Sequence, residues 1–169
     1  YPFAPEAAQA ALVSLIEAHP HGLFRVRLLL DAQGGLQALA VAVTVTPTPV
    51  RIQLADRPFE AAHSEFVRFK TTRRAHYDVF APQRAEVFDT LLWNAHGELT
   101  ECTRCNVALK LQGRWITPAL GCGLLGGVER ERRLRSGQIE EGILTRAMLA
   151  QCEGVAVFNS LRGWLEVLL

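Results

Sequence analysis

The chain has 169 residues, of which 49% are hydrophobic and 21% are charged, a balance typical of a folded globular domain with its own core. Its net charge of +1 gives no electrostatic reason to expect binding to nucleic acid or to an anionic membrane. No apolar run reaches the ~18 residues that a membrane-spanning helix needs, and the acidic Glu6 and Glu17 argue against a signal peptide. The sequence starts at Tyr1 and its only methionine is Met148, so we expect a processed or trimmed piece of a longer protein.

The first part of the chain is predicted to form one helix and one hairpin. Pro5 is typical of a helix start, apolar residues follow at helical spacing, and the residues 19–22 end the helix. Two alternating runs, residues 23–31 and 36–44, are predicted strands joined by a Gly-rich turn. The Pro-rich residues 46–49 form an extended connector, which is the best predicted boundary.

After the connector, short strands alternate with isolated helices. Strands are predicted at residues 50–55, 66–70, 86–93, 99–103, 107–112, 115–116, 139–143, 155–158 and 164–169. Helices are predicted at residues 71–80, 127–135 and 145–151. This pattern favours a mixed α/β or α+β domain.

Four cysteines bear on the redox compartment and on metal binding. They are Cys102, Cys105, Cys122 and Cys152, and the first two form a C-x-x-C pair that is compatible with half of a zinc site or a redox pair. No second pair follows at zinc-finger spacing, so we favour reduced, partly buried thiols and expect no metal site. Reduced thiols are typical of a cytoplasmic protein.

Lys70 is a candidate nucleophile. It ends an apolar run and precedes Arg73 and Arg74. Partial burial and neighbouring cations lower the pKa of a lysine, which makes its neutral amine available to react with an aldehyde. The alternative is an ordinary surface lysine, and the local sequence alone favours that alternative.

Glu101 is a candidate ligand for a cationic group. If its strand points inward, a buried carboxylate needs a cationic partner or good hydrogen-bond donors, and a protonated pyridine nitrogen meets that need. The alternative is a residue at the rim of the domain that pairs with Arg104, and the local sequence leaves both open.

Two Gly-containing turns are candidate phosphate ligands. Residues 121–130 carry four glycines before a charged helix, whose first N–H groups and dipole favour an anion. No G-K-[ST] follows, so the segment is not a P-loop, and a plain turn is the favoured local alternative. Residues 159–163 follow a buried-looking strand and either contact a phosphate or form an ordinary polar turn.

The order of these motifs is more specific than any one of them. The motifs in chain order are FKTTRR at residues 69–74, NAHGELTE at 94–101, GLLGGVER at 123–130 and NSLRGW at 159–164. With this set the chain resembles the class IV (fold type IV) pyridoxal-phosphate enzymes, which include branched-chain and D-amino-acid aminotransferases and 4-amino-4-deoxychorismate lyase. It looks most like the lyase-type domain fused behind para-aminobenzoate synthase component I in some bacteria.

The resemblance implies a role for each matching residue. Lys70 would hold pyridoxal 5'-phosphate covalently and move protons, and Glu101 would bind the ring nitrogen. The phosphate would be bound by the helix start, namely Gly127, Val128 and Glu129, helped by Ser160 or Leu161. The residues implied on the substrate side are Arg74, Asn159 and Arg162.

The resemblance also implies a domain arrangement. Residues 1–46 would be the tail of a truncated small N-terminal domain, residues 47–55 a connector and first strand, and residues 56–169 the large pyridoxal-phosphate-binding domain of the D-amino-acid aminotransferase-like fold. A further stretch before Tyr1 is implied, together with a homodimer and a parent chain fused to para-aminobenzoate synthase component I.

The implied reaction converts the small molecule aminodeoxychorismate into pyruvate and 4-aminobenzoate for folate biosynthesis. Two alternatives stay open: an amino-acid aminotransferase of the same class, and a non-catalytic domain of a fused para-aminobenzoate synthase.

Overall fold

The computed structural model of the protein describes residues 1–168, which form two compact units, Tyr1–Thr46 and the chain from Pro47 onward. Within residues 1–168, no helix combines the length and the apolar character needed to cross a membrane.

The first unit is a helix and a hairpin, which confirms the predicted elements. Helix α1 (Pro5–Ala18) packs against β2 (Leu36–Ala42), and β2 pairs antiparallel with β1 (Phe24–Leu30). Asp31 shapes the turn between the strands, because its Oδ1 accepts the N–H groups of Gln33 and Gly35 at 2.9 and 2.7 Å.

The second unit is built on one eight-stranded mixed sheet. Its strands are β3 (Val50–Leu54), β4 (Asp89–Trp93), β5 (Leu99–Cys102), β6 (Asn106–Leu111), β7 (Arg114–Pro118), β8 (Glu140–Gly142), β9 (Gly154–Asn159) and β10 (Gly163–Leu168). Their order is β5-β4-β3-β10-β9-β6-β7-β8. Three neighbouring pairs are parallel, β10 with β3, β3 with β4, and β7 with β8, and the others are antiparallel. The mixed α/β expectation is therefore confirmed, and the last residue of the strand predicted at 164–169 lies outside the described residues.

The sheet curls so that its two ends meet. The N–H group of Leu99, at the start of β5, donates to the carbonyl of Leu144, which follows β8, at 2.7 Å. A bridge between Glu98 and Thr145 continues this contact. Because both faces of β4 are covered in the curled sheet, all five of its residues are buried, including the polar Asp89 and Thr90.

The helices of the second unit are short. They are α2 (Glu65–Arg68), α3 (Ala75–Asp78) and α4 (Val128–Arg135), with 3-10 turns at Glu60–His63, Leu120–Cys122 and Arg146–Ala150. The helix predicted at 127–135 is confirmed, whereas only Ala75–Asp78 of the predicted helix 71–80 is α-helical and the predicted helix 145–151 is a 3-10 turn.

The strand predicted at residues 66–70 is wrong. Helix α2 occupies most of this segment, and the N–H group of Phe69 donates to the carbonyl of Glu65. The apolar residues suggested a buried strand, but only Val67 enters the core, while 64% of the surface of Phe69 is exposed. A short apolar run does not distinguish a strand from a single helical turn.

One end of the sheet brings several loops together. Leu91 lies opposite Cys102, and Asn106 lies opposite Phe158. The start of β4, the end of β5, the start of β6 and the end of β9 therefore lie at the same end, together with the β5–β6 and β9–β10 turns.

Candidate functional site

A buried carboxylate shapes the β5–β6 turn at this end. Asp89 accepts hydrogen bonds from the Thr103 hydroxyl at 2.6 Å and from the Arg104 N–H group at 3.1 Å. Burial raises the pKa of Asp89, and these hydrogen bonds oppose that increase. The turn presents two carbonyls: that of Thr103 accepts from the Arg74 guanidinium, and that of Arg104 accepts from Asn159 Nδ2 at 3.2 Å. Arg74 and Asn159 are thus brought to the same turn.

Glu101 points into the protein from β5, with only 4% of its surface exposed. The Tyr77 hydroxyl donates to its Oε1 at 2.6 Å. Burial raises the pKa of Glu101 to about 7, and the Tyr77 hydroxyl, the backbone N–H group of Leu125 and the charges of Lys70 and Arg74 all act in the lowering direction. The inward orientation is the one that a cation-binding carboxylate requires.

The alternative of Glu101 as a rim residue paired with Arg104 is wrong. The Arg104 guanidinium lies 4.0 Å from Asp89 instead, and it donates to the backbone carbonyl of Phe88. The difference arises because the β5–β6 turn directs Arg104 toward the start of β4.

Tyr77 is fixed from two sides. Its ring stacks on Phe59 with centroids 5.2 Å apart, and the Arg74 guanidinium lies 4.7 Å from its centroid. Burial raises the pKa of Tyr77, so the hydroxyl keeps its proton and acts as the donor to Glu101. Sequence reasoning assigned no role to Tyr77. A buried carboxylate needs hydrogen-bond donors, and Tyr77 follows Lys70 closely in the sequence. These two facts make Tyr77 a candidate donor to Glu101.

Lys70 follows α2 and is exposed, as the alternative of a surface lysine predicts, so partial burial does not act on its amine. The apolar neighbours that suggested burial do not cover it, because Phe69 is itself exposed. The charge of Lys70 nevertheless acts on the Glu101 carboxylate, so the two groups share one electrostatic environment.

The Gly-rich loop leads into α4 at the same end of the sheet. Gly127 is the residue before the helix, and Val128, its first residue, is 78% exposed. The first N–H groups of an α-helix have no partner within the helix, so those of Val128 and Glu129 are available to an anion. The guanidinium groups of Arg132 and Arg133 each lie 2.7 Å from the carboxylate of Glu129. The pKa of Glu129 is lowered, mainly by the hydrogen bond from Arg132.

The β9–β10 turn is organised by Asn159. Its Oδ1 accepts the N–H groups of Leu161 and Arg162 at 3.1 and 2.9 Å. The backbone N–H group of Leu161 therefore already has a partner within the turn. Ser160 is exposed at the surface of the same turn. The Arg162 guanidinium lies 5.6 Å from the centroid of the Phe88 ring, beside the start of β4. The structure thus gives Asn159 a structural role, and its predicted contact with a substrate stays a prediction.

The cysteines are free thiols. Cys102, Cys105 and Cys122 are buried, and Cys152 is half-buried. Burial raises the pKa of Cys105 to about 12, with the Asp89 carboxylate adding to the effect. No group of three or more histidine, cysteine, aspartate or glutamate residues suited to a metal ion occurs among residues 1–168.

The predicted cofactor residues therefore lie at, or act electrostatically on, one end of the sheet. Glu101 is reached by the charges of Lys70 and Arg74 and by the N–H group of Leu125, two residues before Gly127. Ser160 lies on the neighbouring β9–β10 turn. A buried carboxylate within electrostatic reach of an exposed amine, with a helix N-terminus on a loop at the same end of the sheet, suits a ligand that carries a cationic ring, an aldehyde and a phosphate.

The comparisons with known proteins agree with this geometry. A family model described as "Amino-transferase class IV" matches residues 1–169. A protein of Schizosaccharomyces pombe named "Putative aminodeoxychorismate lyase" is 43% identical over 83 residues, which are 47% of this chain and 36% of the yeast protein. The matched part thus spans about a third of that relative.

Solved structures share the fold over nearly the whole chain. A putative amino-acid aminotransferase from Mesorhizobium loti is 29% identical, with a TM-score of 0.91 over 99% of this chain and 83% of its own. The 4-amino-4-deoxychorismate lyase from Pseudomonas aeruginosa is 18% identical, with a TM-score of 0.72 over 96% of this chain and 68% of its own, and it supports the fold alone.

Proposed function

The chain belongs to the class IV aminotransferase family, whose members are pyridoxal-phosphate-dependent enzymes, and on this premise we propose that it is the pyridoxal-phosphate domain of an aminodeoxychorismate lyase. The reaction releases pyruvate from 4-amino-4-deoxychorismate and leaves 4-aminobenzoate, a precursor of folate.

The observation that carries the proposal is the buried Glu101 carboxylate, on which the charge of Lys70 acts. Burial raises the pKa of Glu101 to about 7 even though Tyr77 donates to it and the Leu125 N–H group lowers its pKa. A carboxylate in this position is stabilised by a cationic N–H donor, and the protonated nitrogen of a pyridine ring is such a donor. The fit extends to α4, whose N-terminal N–H groups suit the phosphate.

Each residue of the site has a different role in this proposal. Lys70 would hold the cofactor through its amine, and the same amine would carry the proton that the substrate loses and regains. Glu101 holds the ring nitrogen in its protonated state, and Tyr77 fixes the carboxylate that does so. When bound, pyridoxal phosphate withdraws electrons from the substrate carbon that loses the proton. Gly127, Val128 and Glu129 anchor the phosphate, with Ser160 on the neighbouring turn.

The lyase assignment is supported by the 43% identity to the yeast relative and by the motif set of Lys70, Glu101 and residues 159–164. A second candidate, an amino-acid aminotransferase, is supported by the TM-score of 0.91 to the Mesorhizobium loti protein. Arg74, Asn159 and Arg162 are the residues proposed to face the substrate in either case.

Two parallel incubations separate these candidates. The purified protein with pyridoxal phosphate is given aminodeoxychorismate in one and an amino acid with 2-oxoglutarate in the other. We expect pyruvate in the first only, with activity lost in Lys70→Ala and kept in Lys110→Ala, which changes the one other lysine of the chain. If only the amino acid with 2-oxoglutarate reacts, the lyase assignment is refuted. If neither incubation gives a product, the third candidate is favoured, a non-catalytic domain of a fused para-aminobenzoate synthase.

The remaining proposals concern the assembly. We propose that residues 1–46 belong to a small domain, that residues 47–55 connect it to the pyridoxal-phosphate domain of residues 56–169, and that the protein is a cytoplasmic homodimer. Its parent chain is proposed to carry a para-aminobenzoate synthase component I domain. Mass spectrometry of the intact parent protein tests the fusion directly.

A further inference from the structure

The Gly-rich loop before α4 is held by side chains from the sheet. Asn94 Nδ2 donates to the carbonyl of Cys122 at 3.0 Å, and Asn106 Nδ2 donates to the carbonyl of Leu125 at 2.9 Å. Both asparagines are buried. A buried amide that donates to a loop carbonyl restricts the loop, because displacing the loop breaks a buried hydrogen bond.

Leu125 is the point where three groups meet. Its backbone N–H group acts on the Glu101 carboxylate and lowers the pKa of that group, while its carbonyl accepts from Asn106 and from the N–H group of Gly127 at 2.9 Å. The residue therefore lies between the carboxylate at the ring nitrogen and the residue before the phosphate-binding helix. A displacement of this one residue moves the donors at both places.

Asn106 also meets the loop at Gly127. A Cβ atom on Gly127 would lie 2.4 Å from Asn106 Oδ1, well inside the contact distance. The φ of Gly127 is −67°, a value open to any residue, so the position does not need glycine for its conformation. It needs glycine because the Asn106 amide lies against its Cα.

We propose that Asn106 is a positioning residue that couples the ring-binding and phosphate-binding parts of the site, an inference that rests on the proposed function. Through Leu125, an anion at the start of α4 orders the donor to Glu101, and a cationic ring at Glu101 orders the helix start. Such a linkage is reciprocal, so occupation of either part tightens the other by the same factor.

The coupling is measured with two probes that each occupy one part. Pyridoxal, which lacks the phosphate, is titrated into the protein with and without saturating inorganic phosphate, and binding is followed by the absorption of the lysine-bound form. We expect phosphate to tighten pyridoxal binding by at least about fivefold in the wild type. In Asn106→Ala the factor falls below about twofold. Asn94→Ala, which breaks the bond to Cys122 together with the bonds of the same side chain to Glu98 and His96, keeps the factor.

Further variants guard against misfolding. Asn106→Asp removes the donor to Leu125 but keeps the side-chain volume, and Gly127→Ala displaces the amide from the opposite side. Both should lower the factor as Asn106→Ala does, and hydrogen exchange at the Leu125 amide should rise in all three. An unchanged factor in the folded Asn106 variants, or an equal loss in Asn94→Ala, overturns the inference.

The test also separates this inference from the proposed function. A wild type that binds pyridoxal phosphate but shows no coupling overturns the inference alone. A wild type that does not bind pyridoxal phosphate overturns the proposed function, and the inference with it.

Discussion

Replacing Glu101 with glutamine should change how the stability of the cofactor-free protein depends on pH. The carboxyl has a pKa of 4.5 in an unfolded chain and about 7 in the folded protein, because burial disfavours its charged form. The folded state therefore binds more protons than the unfolded state across this window. By linkage, the free energy of unfolding falls as the pH rises from the lower pKa to the higher one.

The size of the effect follows from the shift. At 1.36 kcal/mol per pKa unit, the shift corresponds to roughly 3 kcal/mol in total, of which about 2.5 kcal/mol falls between about pH 5 and about pH 8. Glu101→Gln removes this titration, so the difference in stability between wild type and variant should change by that amount over the window. The change with pH is the measured quantity, since the amide alters the local hydrogen bonds at every pH.

Urea unfolding followed by fluorescence at several pH values measures the effect. The wild-type curve should fall relative to the Glu101→Gln curve as the pH rises. Parallel curves across the window would refute the argument that Glu101 is buried without a full counter-charge. Saturating pyridoxal phosphate should reduce the wild-type loss, because the protonated ring supplies that charge.

Two further predictions concern stability. Tyr77→Phe removes the donor to Glu101 and should lower the free energy of unfolding by about 1–3 kcal/mol. The loss should be larger at about pH 8 than at about pH 5, because the ionised carboxylate needs the donor most. Urea unfolding curves measure this loss, and a loss that persists in the Glu101→Gln background would contradict the prediction. Gly123→Ala should destabilise by more than about 2 kcal/mol, since φ is +90° and a Cβ would meet the Ala62 carbonyl oxygen at 2.4 Å. The matched Gly97→Ala, with φ +77° and no neighbour within 4 Å, should cost only about 1 kcal/mol, and equal costs in a thermal melt would refute the role of the contact.

The sequence predicted the order of elements well where alternation or helical spacing extended over several residues. The helix at Val128–Arg135 and the strands around Glu101 are examples. The prediction for residues 66–70 was wrong because a single helical turn buries one residue in four. So short a segment has no periodic pattern that distinguishes a helix from a strand.

The donors to the candidate site could not be predicted from local sequence. Tyr77, Leu125 and Asn106 reach their partners across 24, 24 and 19 residues of chain, distances that only the folded sheet brings together. Sequence reasoning placed Asn159 near a ligand because polar residues after buried strands often bind one. In the structure the same amide is engaged in the turn, a use that the residue type allows equally well.

The proposed attachment of the cofactor to Lys70 can be tested sharply, because the chain contains two lysines, Lys70 and Lys110. Lys110 lies on β6, with its amine 4.0 Å from a carboxylate oxygen of Glu153. The protein is mixed with pyridoxal phosphate, reduced with borohydride and digested, and the modified peptide is identified by mass spectrometry. We expect a single pyridoxyl group, on Lys70. Modification of Lys110, of the N-terminal amine or of no residue would contradict it.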